Sequence, residues 1–262
     1  MIDMEEQQPP PLPDSHLKPH RRPRMTLAAR LLNVFAVPGE VFGELKGGPV
    51  AISNWLIPAL IGAVIGVLSV LILLSQPAIQ RQFKERQNKF IEERVKAGQL
   101  TPQEREVVEW LTRTTVLKAL GSAGAVIGSF GSVVWWGFVL WFLARVLFRA
   151  QVAFSKTLEV AGLSMMINVL GGIVAMLLII NFERSGAAPS LALLVKDLDA
   201  VRKGGLVAIA ANVFSIWVVG VRSIGLAKLA GVPYLRAAWA VFTFWLLEQC
   251  LLILIGAGQS GT

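Results

Sequence analysis

The sequence predicts an all-α integral membrane protein: a bundle of five transmembrane helices with an extramembrane helical hairpin between spans one and two. Three observations predict this fold class: 54% of the 262 residues are hydrophobic, only 16% are charged, and the apolar residues form long blocks. Soluble domains average about 45–50% apolar and about 25% charged residues, whereas a block of about 20 apolar residues crosses a bilayer as a helix. The net charge of +8 does not indicate nucleic acid, because the basic residues lie between the apolar blocks, where the positive flanks of spans belong.

Two segments of different character precede the spans. Residues 1–24 are rich in proline and poor in apolar side chains, which predicts a disordered basic tail. The tail is either a solvated segment or, through its "PPPLP" run, a polyproline ligand for a partner domain. Residues 25–50 begin with apolar side chains at helical spacing, interrupted by Pro38. This segment is too short and too broken to span, and its pattern predicts an amphipathic segment at the membrane interface.

Residues 51–256 form the predicted five-span membrane domain, with spans at about 52–74, 119–148, 158–180, 206–224 and 237–255. The polar insert 76–118 separates the first two spans. Within it, Thr101, Pro102 and Glu104 form the pattern of a capping box with proline at the first helical position. The insert is therefore predicted to be a helical hairpin outside the bilayer, whose second helix either ends before the second span or runs into it.

The orientation of the bundle cannot be assigned from charge. An odd number of spans puts the two termini on opposite sides of the membrane. The side that carries the N-terminus has 12 Lys and Arg, and the other side has 13, nine of them in the insert. The positive-inside rule therefore gives no preference.

One carboxylate lies inside a predicted span. Glu248 is near the centre of the fifth apolar block, where a charged carboxylate costs about 2.5 kcal/mol or more. Two alternatives remain open: a protonated Glu248 that hydrogen-bonds across a helix pair, or an ion- or proton-binding site. Asn168 and Asn212 lie in the third and fourth blocks and would either bond between helices or line such a site.

The remaining polar and aromatic residues of the spans are expected near membrane boundaries. Arg222 is predicted to reach the headgroups from the end of the fourth span. Glu159 and Glu183 bracket the third span and are predicted at the interfaces. An interfacial aromatic belt is predicted at the far end of the second span, from Trp135, Trp136 and Trp141.

The second span also carries small residues at four-residue spacing, Gly124, Gly128 and Ser132. Such a face lets two helix backbones approach closely. It supports either a homodimer or packing within the monomer.

The stretch "NVFSIWVVGVRSIGLAKLAGVPYLRAA" resembles the end of the Yip domain, the five-span family named for Ypt/Rab-interacting proteins, and in particular its bacterial branch. "FAVPGEVFGEL" and "VAFSKTLEVAGLSMMINVLGGIV" are similar to the segments that lead into the family's first and third spans, so the resemblance covers residues 30–256. The family often has an acidic residue where this chain has Asn212, which counts against a proton-linked role there. The positions that match the family pattern are Phe214, Ser215, Trp217, Gly225 and Gly231.

The resemblance implies an integral membrane protein with a cytoplasmic N-terminus, here in a bacterial cytoplasmic membrane. Eukaryotic relatives are linked to vesicle trafficking through small GTPases and other membrane partners. The family has no catalytic residues that could be assigned to this chain.

No catalytic constellation, metal site or cofactor motif is visible in the sequence. Both histidines, His16 and His20, lie in the tail, which excludes a histidine-based relay, protease or metal cluster within the spans. All four aspartates lie outside the spans, and no phosphate-binding glycine loop occurs. The single cysteine, Cys250, excludes an intramolecular disulfide and a cysteine-rich zinc site.

Two functions from different classes follow. The first is a non-enzymatic membrane protein that organises the membrane or recruits a protein partner through the insert 76–118 or the tail, with a homo-oligomer possible. The alternative is a small ion, proton or solute channel or transporter centred on Glu248, which requires Glu248, Asn168 and Asn212 to converge on one cavity. Five spans without an internal repeat are few for a secondary transporter.

Overall fold

The computed structural model describes residues 24–183 and 212–258, and within these ranges the side chains of Pro102 and of residues 252–258 are left undescribed. Most of the predicted tail and the first part of the predicted fourth span, residues 206–211, lie outside the described residues. The described chain is helical throughout, in agreement with the predicted all-α membrane class. The helices are α1 Leu27–Ala36, α2 Pro38–Gly47, α3 Ser53–Leu73, α4 Pro77–Lys96, α5 Pro102–Leu111, α6 Thr114–Phe142, α7 Phe154–Phe182, α8 Val213–Ala230 and α9 Tyr234–Gly258.

Four helices of the described chain are long and apolar enough to cross a membrane. They are α3, α7, α8 and α6, which a π-helical turn at Leu143–Leu147 extends. The predicted fifth span lies within α9, and its crossing stays a prediction. α8 runs six residues beyond the predicted end of the fourth span and closes at Gly231, whose φ of +70° suits a residue without a Cβ.

The segment before the first span forms two short helices rather than one. Thr26 caps α1 by accepting a hydrogen bond from the Ala29 N–H at 3.2 Å, and Pro38 opens α2. Their buried side chains, among them Val34 and Phe42, pack chiefly against α7 and α8. Protein therefore covers one face of this segment, while its position at the membrane interface stays a prediction.

The spans pack through small residues. A Cβ added at Gly66 would lie 3.0 Å from the Cβ of Ala125, and one added at Gly121 would lie 2.9 Å from a methyl group of Val70. The α3–α6 contact thus uses the stripe Gly121, Ala125 and Ser129, in which Ser129 Oγ donates to the Ala59 carbonyl oxygen at 2.7 Å. Close backbone approach of this kind is typical of helix packing in membranes.

The predicted stripe Gly124, Gly128 and Ser132 lies on a neighbouring face of α6. A Cβ at Gly124 or Gly128 would meet no atom of the described residues within 4 Å. Packing within the described monomer therefore does not use these two glycines. Their use in a homo-oligomer stays a prediction.

The hairpin, α4 and α5, connects the end of the first span, α3, to the start of the second span, α6. The capping box is confirmed: Thr101 Oγ1 accepts from the Glu104 N–H at 3.3 Å, and Glu104 Oε2 accepts from the Thr101 N–H at 2.8 Å. The second helix of the hairpin, α5, ends before the second span and does not run into it. α5 ends at Leu111, and Arg113, with a ψ of 135°, separates it from α6.

Candidate functional site

The three residues predicted to form an intramembrane polar site have different surroundings. Asn168 is exposed on α7. Asn212 caps α8, where its Oδ1 accepts from the Phe214 N–H at 2.9 Å, so it stands at the start of this helix and not inside it. Glu248 is half-buried on α9, and its Oε1 accepts from Trp135 Nε1 at 2.7 Å. Hydrogen bonding within the described chain does not join these three side chains.

A different polar cluster surrounds Arg222, in the middle of α8. Its side chain is only 3% exposed, its Cζ lies 4.0 Å from the centre of the Trp136 ring, and its Nε donates to Ser164 Oγ at 3.4 Å. A desolvated cation over the face of a tryptophan is stabilised by the ring quadrupole.

The prediction that Arg222 reaches the headgroups is therefore wrong. α8 continues for eight residues after Arg222, which places its Cα about 12 Å from the helix end. The guanidinium instead lies inside the bundle, against an aromatic face and a hydroxyl oxygen.

The tryptophans of α6 do not form a simple interfacial belt. Trp136 is 6% exposed and contacts Arg222, while its neighbour Trp135 bonds Glu248. These two adjacent tryptophans therefore contact Arg222 of α8 and Glu248 of α9. Trp141 makes an edge-to-face contact with Phe154 at the start of α7, with the ring centres 6.5 Å apart.

Glu159 forms the centre of a second cluster, at the end of the bundle where α1 and α2 pack. Its side chain is fully buried. Oε1 accepts from the Ala51 N–H and from Asn54 Nδ2, each at 2.8 Å, and Oε2 accepts from Lys156 Nζ at 2.8 Å. The N-terminal segment covers Glu159 and separates it from solvent, while its position at the level of the membrane interface stays a prediction. Glu183, at the other end of α7, is exposed.

The hydrogen bonds of this cluster continue through Asn54 to the N-terminal helices. Asn54 Oδ1 accepts from Arg30 Nη1 at 3.2 Å, and Arg30 Nη2 donates to Glu44 Oε1 at 2.6 Å. Burial acts to raise the pKa of Glu44, but the Met25 N–H and the Arg30 guanidinium outweigh it and hold that pKa below its ordinary value. We call the connected set Glu44, Arg30, Asn54, Glu159 and Lys156 the polar clasp.

The chemistry of the polar clasp is that of a structural tie. Both carboxylates accept hydrogen bonds from a cationic side chain and from backbone or amide N–H groups. Within the described residues, no group of three or more His, Cys, Asp or Glu could hold a metal ion. The clasp joins α1, α2, α3 and α7.

The positions that match the family pattern lie along α8. Phe214 stacks on Trp217, which also contacts Phe35 of α1 edge-to-face with the ring centres 5.9 Å apart. Gly225 permits close contact with α7, because an added Cβ there would overlap a methyl group of Val160. Ser215 is half-buried, and Gly231 closes the helix. These residues seat α8 against the rest of the bundle.

The fold and both polar clusters define an all-helical membrane protein whose buried charges join its helices. The sequence model of the Yip1 domain matches residues 32–256. The chain belongs to the Yip1 domain family, as the resemblance of its α8 region indicates. Neither the curated proteins nor the solved structures include a significant match.

Proposed function

We propose that this chain is a non-enzymatic membrane protein that organises the membrane or recruits protein partners. Family membership supports this proposal, as do the two polar clusters, whose charged groups are engaged in joining helices.

The observation that carries the proposal is an apolar face on the hairpin. Val107, Trp110 and Leu111 are 56%, 51% and 39% exposed. Their spacing of three and four residues puts them on one side of α5. A contiguous patch of large exposed apolar side chains marks an interaction site, and tryptophan is among the residues enriched at the centres of protein interfaces.

The transporter alternative has weaker support. It requires Glu248, Asn168 and Asn212 to act together, whereas Asn212 bonds its own helix and Glu248 bonds a tryptophan. The hydrogen bond from Trp135 gives Glu248 a structural role, because it joins α9 to α6.

For localisation, we infer a bacterial cytoplasmic membrane with the N-terminus in the cytoplasm and the C-terminus on the opposite side. Family membership supports this orientation, because the resemblance to the Yip domain implies a cytoplasmic N-terminus. In this orientation the hairpin lies on the outer side of that membrane, and the partner that it recruits lies there too.

Cross-linking tests the function and the orientation together. Intact cells with a permeabilised outer envelope are treated with a membrane-impermeant amine cross-linker, which reaches the lysines of the hairpin. We expect one discrete cross-linked partner with the full chain, and its loss when residues 76–118 are deleted or when Val107→Ser and Trp110→Ser are combined.

The matched control combines Gln103→Ser and Glu106→Ser, which alters exposed polar positions of the same helix and should leave the partner in place. Recovery of nothing above background would count against recruitment by the hairpin. Cross-linking seen only in disrupted cells would reverse the orientation.

A further inference from the structure

A groove of about 330 Å³ lies between α4 and the junction of α5 with α6. Its position is set by two spans: Leu74 caps the C-terminal end of α3, Thr114 begins α6, and both line the groove. The groove is therefore at the level where the hydrocarbon ends and the lipid headgroups begin.

Two basic side chains, Lys84 and Arg113, line the groove and are exposed. The one acidic residue among the lining residues, Glu109, is paired with Arg105 at 2.8 Å. The net local charge is therefore positive. Thr114 adds to it, because the first N–H groups of α6 have no partner within the helix and no side chain caps them.

The side of the groove that faces the bilayer is apolar. Leu74 and Leu117 line it, and one helical turn deeper on the same helix faces lie Leu71 and Leu120, which are 39% and 55% exposed. A ligand that fits both the basic side and the apolar side of the groove has two parts. Its anionic phosphate lies at the level of Lys84 and Arg113, and its acyl chain follows these leucines into the membrane.

We propose that this groove binds the headgroup of an anionic phospholipid. Basic pockets between membrane helices recognise acidic headgroups in this way. The lipid would bridge α4 and the start of α6, and so fix the hairpin against the membrane surface. This inference goes beyond partner recruitment and uses different residues from the exposed face of α5, so the two can fail independently.

Native mass spectrometry of the full chain tests the proposal. The detergent-purified protein is incubated with micelles that contain equal amounts of phosphatidylglycerol and phosphatidylcholine, and the bound lipids are counted. We expect the full chain to retain phosphatidylglycerol preferentially, and the Lys84→Gln, Arg113→Gln double variant to lose that preference by about fivefold or more.

The matched control is the double variant Arg86→Gln, Lys96→Gln, which removes the same charge from exposed positions of α4 that do not line the groove. Its lipid preference should change less than twofold. Equal losses in the two variants, or a preference that survives in the groove variant, would overturn the proposal. Displacement of the lipid by equimolar inorganic phosphate would identify a site for free anions instead, and would also overturn it.

Discussion

Replacing Glu159 with alanine is expected to lower the free energy of unfolding by about 3–5 kcal/mol, the usual cost of removing one partner from a buried ion pair. The carboxylate is fully buried and accepts three hydrogen bonds, from Ala51, Asn54 and Lys156. Without it, Lys156, whose side chain is only 12% exposed in the original chain, loses its carboxylate partner. Chemical denaturation of the detergent-solubilised chain, followed by helicity, measures the loss.

The control for this variant lies at the opposite end of the same helix. Glu183→Ala removes an exposed carboxylate from α7, so its effect should stay within about 0.5 kcal/mol. A Glu159→Ala variant as stable as Glu183→Ala would show that the polar clasp does not stabilise the fold.

Replacing Gly162 with alanine is the second change with a large expected effect. The added Cβ would overlap the Cα of Trp55 and lie 2.9 Å from the carbonyl oxygen of Asn54. Because these are backbone atoms, a rotamer change cannot relieve the overlap, and α3 and α7 must separate. We expect a loss of about 3 kcal/mol, at the upper end of the usual cost of overpacking, measured as a lower midpoint of thermal unfolding.

Gly172→Ala is the matched control, ten residues further along α7. An added Cβ there would meet no described atom within 4 Å, and alanine favours a helix over glycine by up to about 1 kcal/mol. This variant should therefore be as stable as the original chain or slightly more stable. Equal destabilisation by the two substitutions would contradict the close contact between α3 and α7.

The helices of this fold are readable from the sequence because their signals are local. The apolar blocks give the positions of α3, α6 and α7 to within a few residues. The capping box at Thr101 is equally local, because its hydrogen bonds join residues three apart. Asn212 shows what hydropathy misses: the apolar block continues through it, although asparagine is a strong N-cap residue and here caps the start of α8.

The polar clusters depend on contacts between residues far apart in the chain, which hydropathy does not reveal. Glu159 meets Asn54 across 105 positions, and the only local hint is Lys156 three residues before it. Hydropathy ends the fourth block at about residue 224, six residues before the end of α8, and therefore places Arg222 at a span end. The two small-residue stripes of α6 look alike in sequence, and only the packed structure shows that Ala125 and Ser129, rather than Gly124 and Gly128, face α3.

The most direct test of the central claim is a flux measurement, because a transport protein moves ions across a liposome membrane and a protein that recruits partners does not. The purified chain and its Glu248→Gln variant are reconstituted in liposomes, and proton and cation leak are followed in both. Since Glu248 accepts a hydrogen bond from Trp135 and so joins α9 to α6, we expect no leak above that of empty liposomes from a folded sample of either protein. A leak that the full chain shows and Glu248→Gln abolishes would contradict this account and make Glu248 the centre of a transport site.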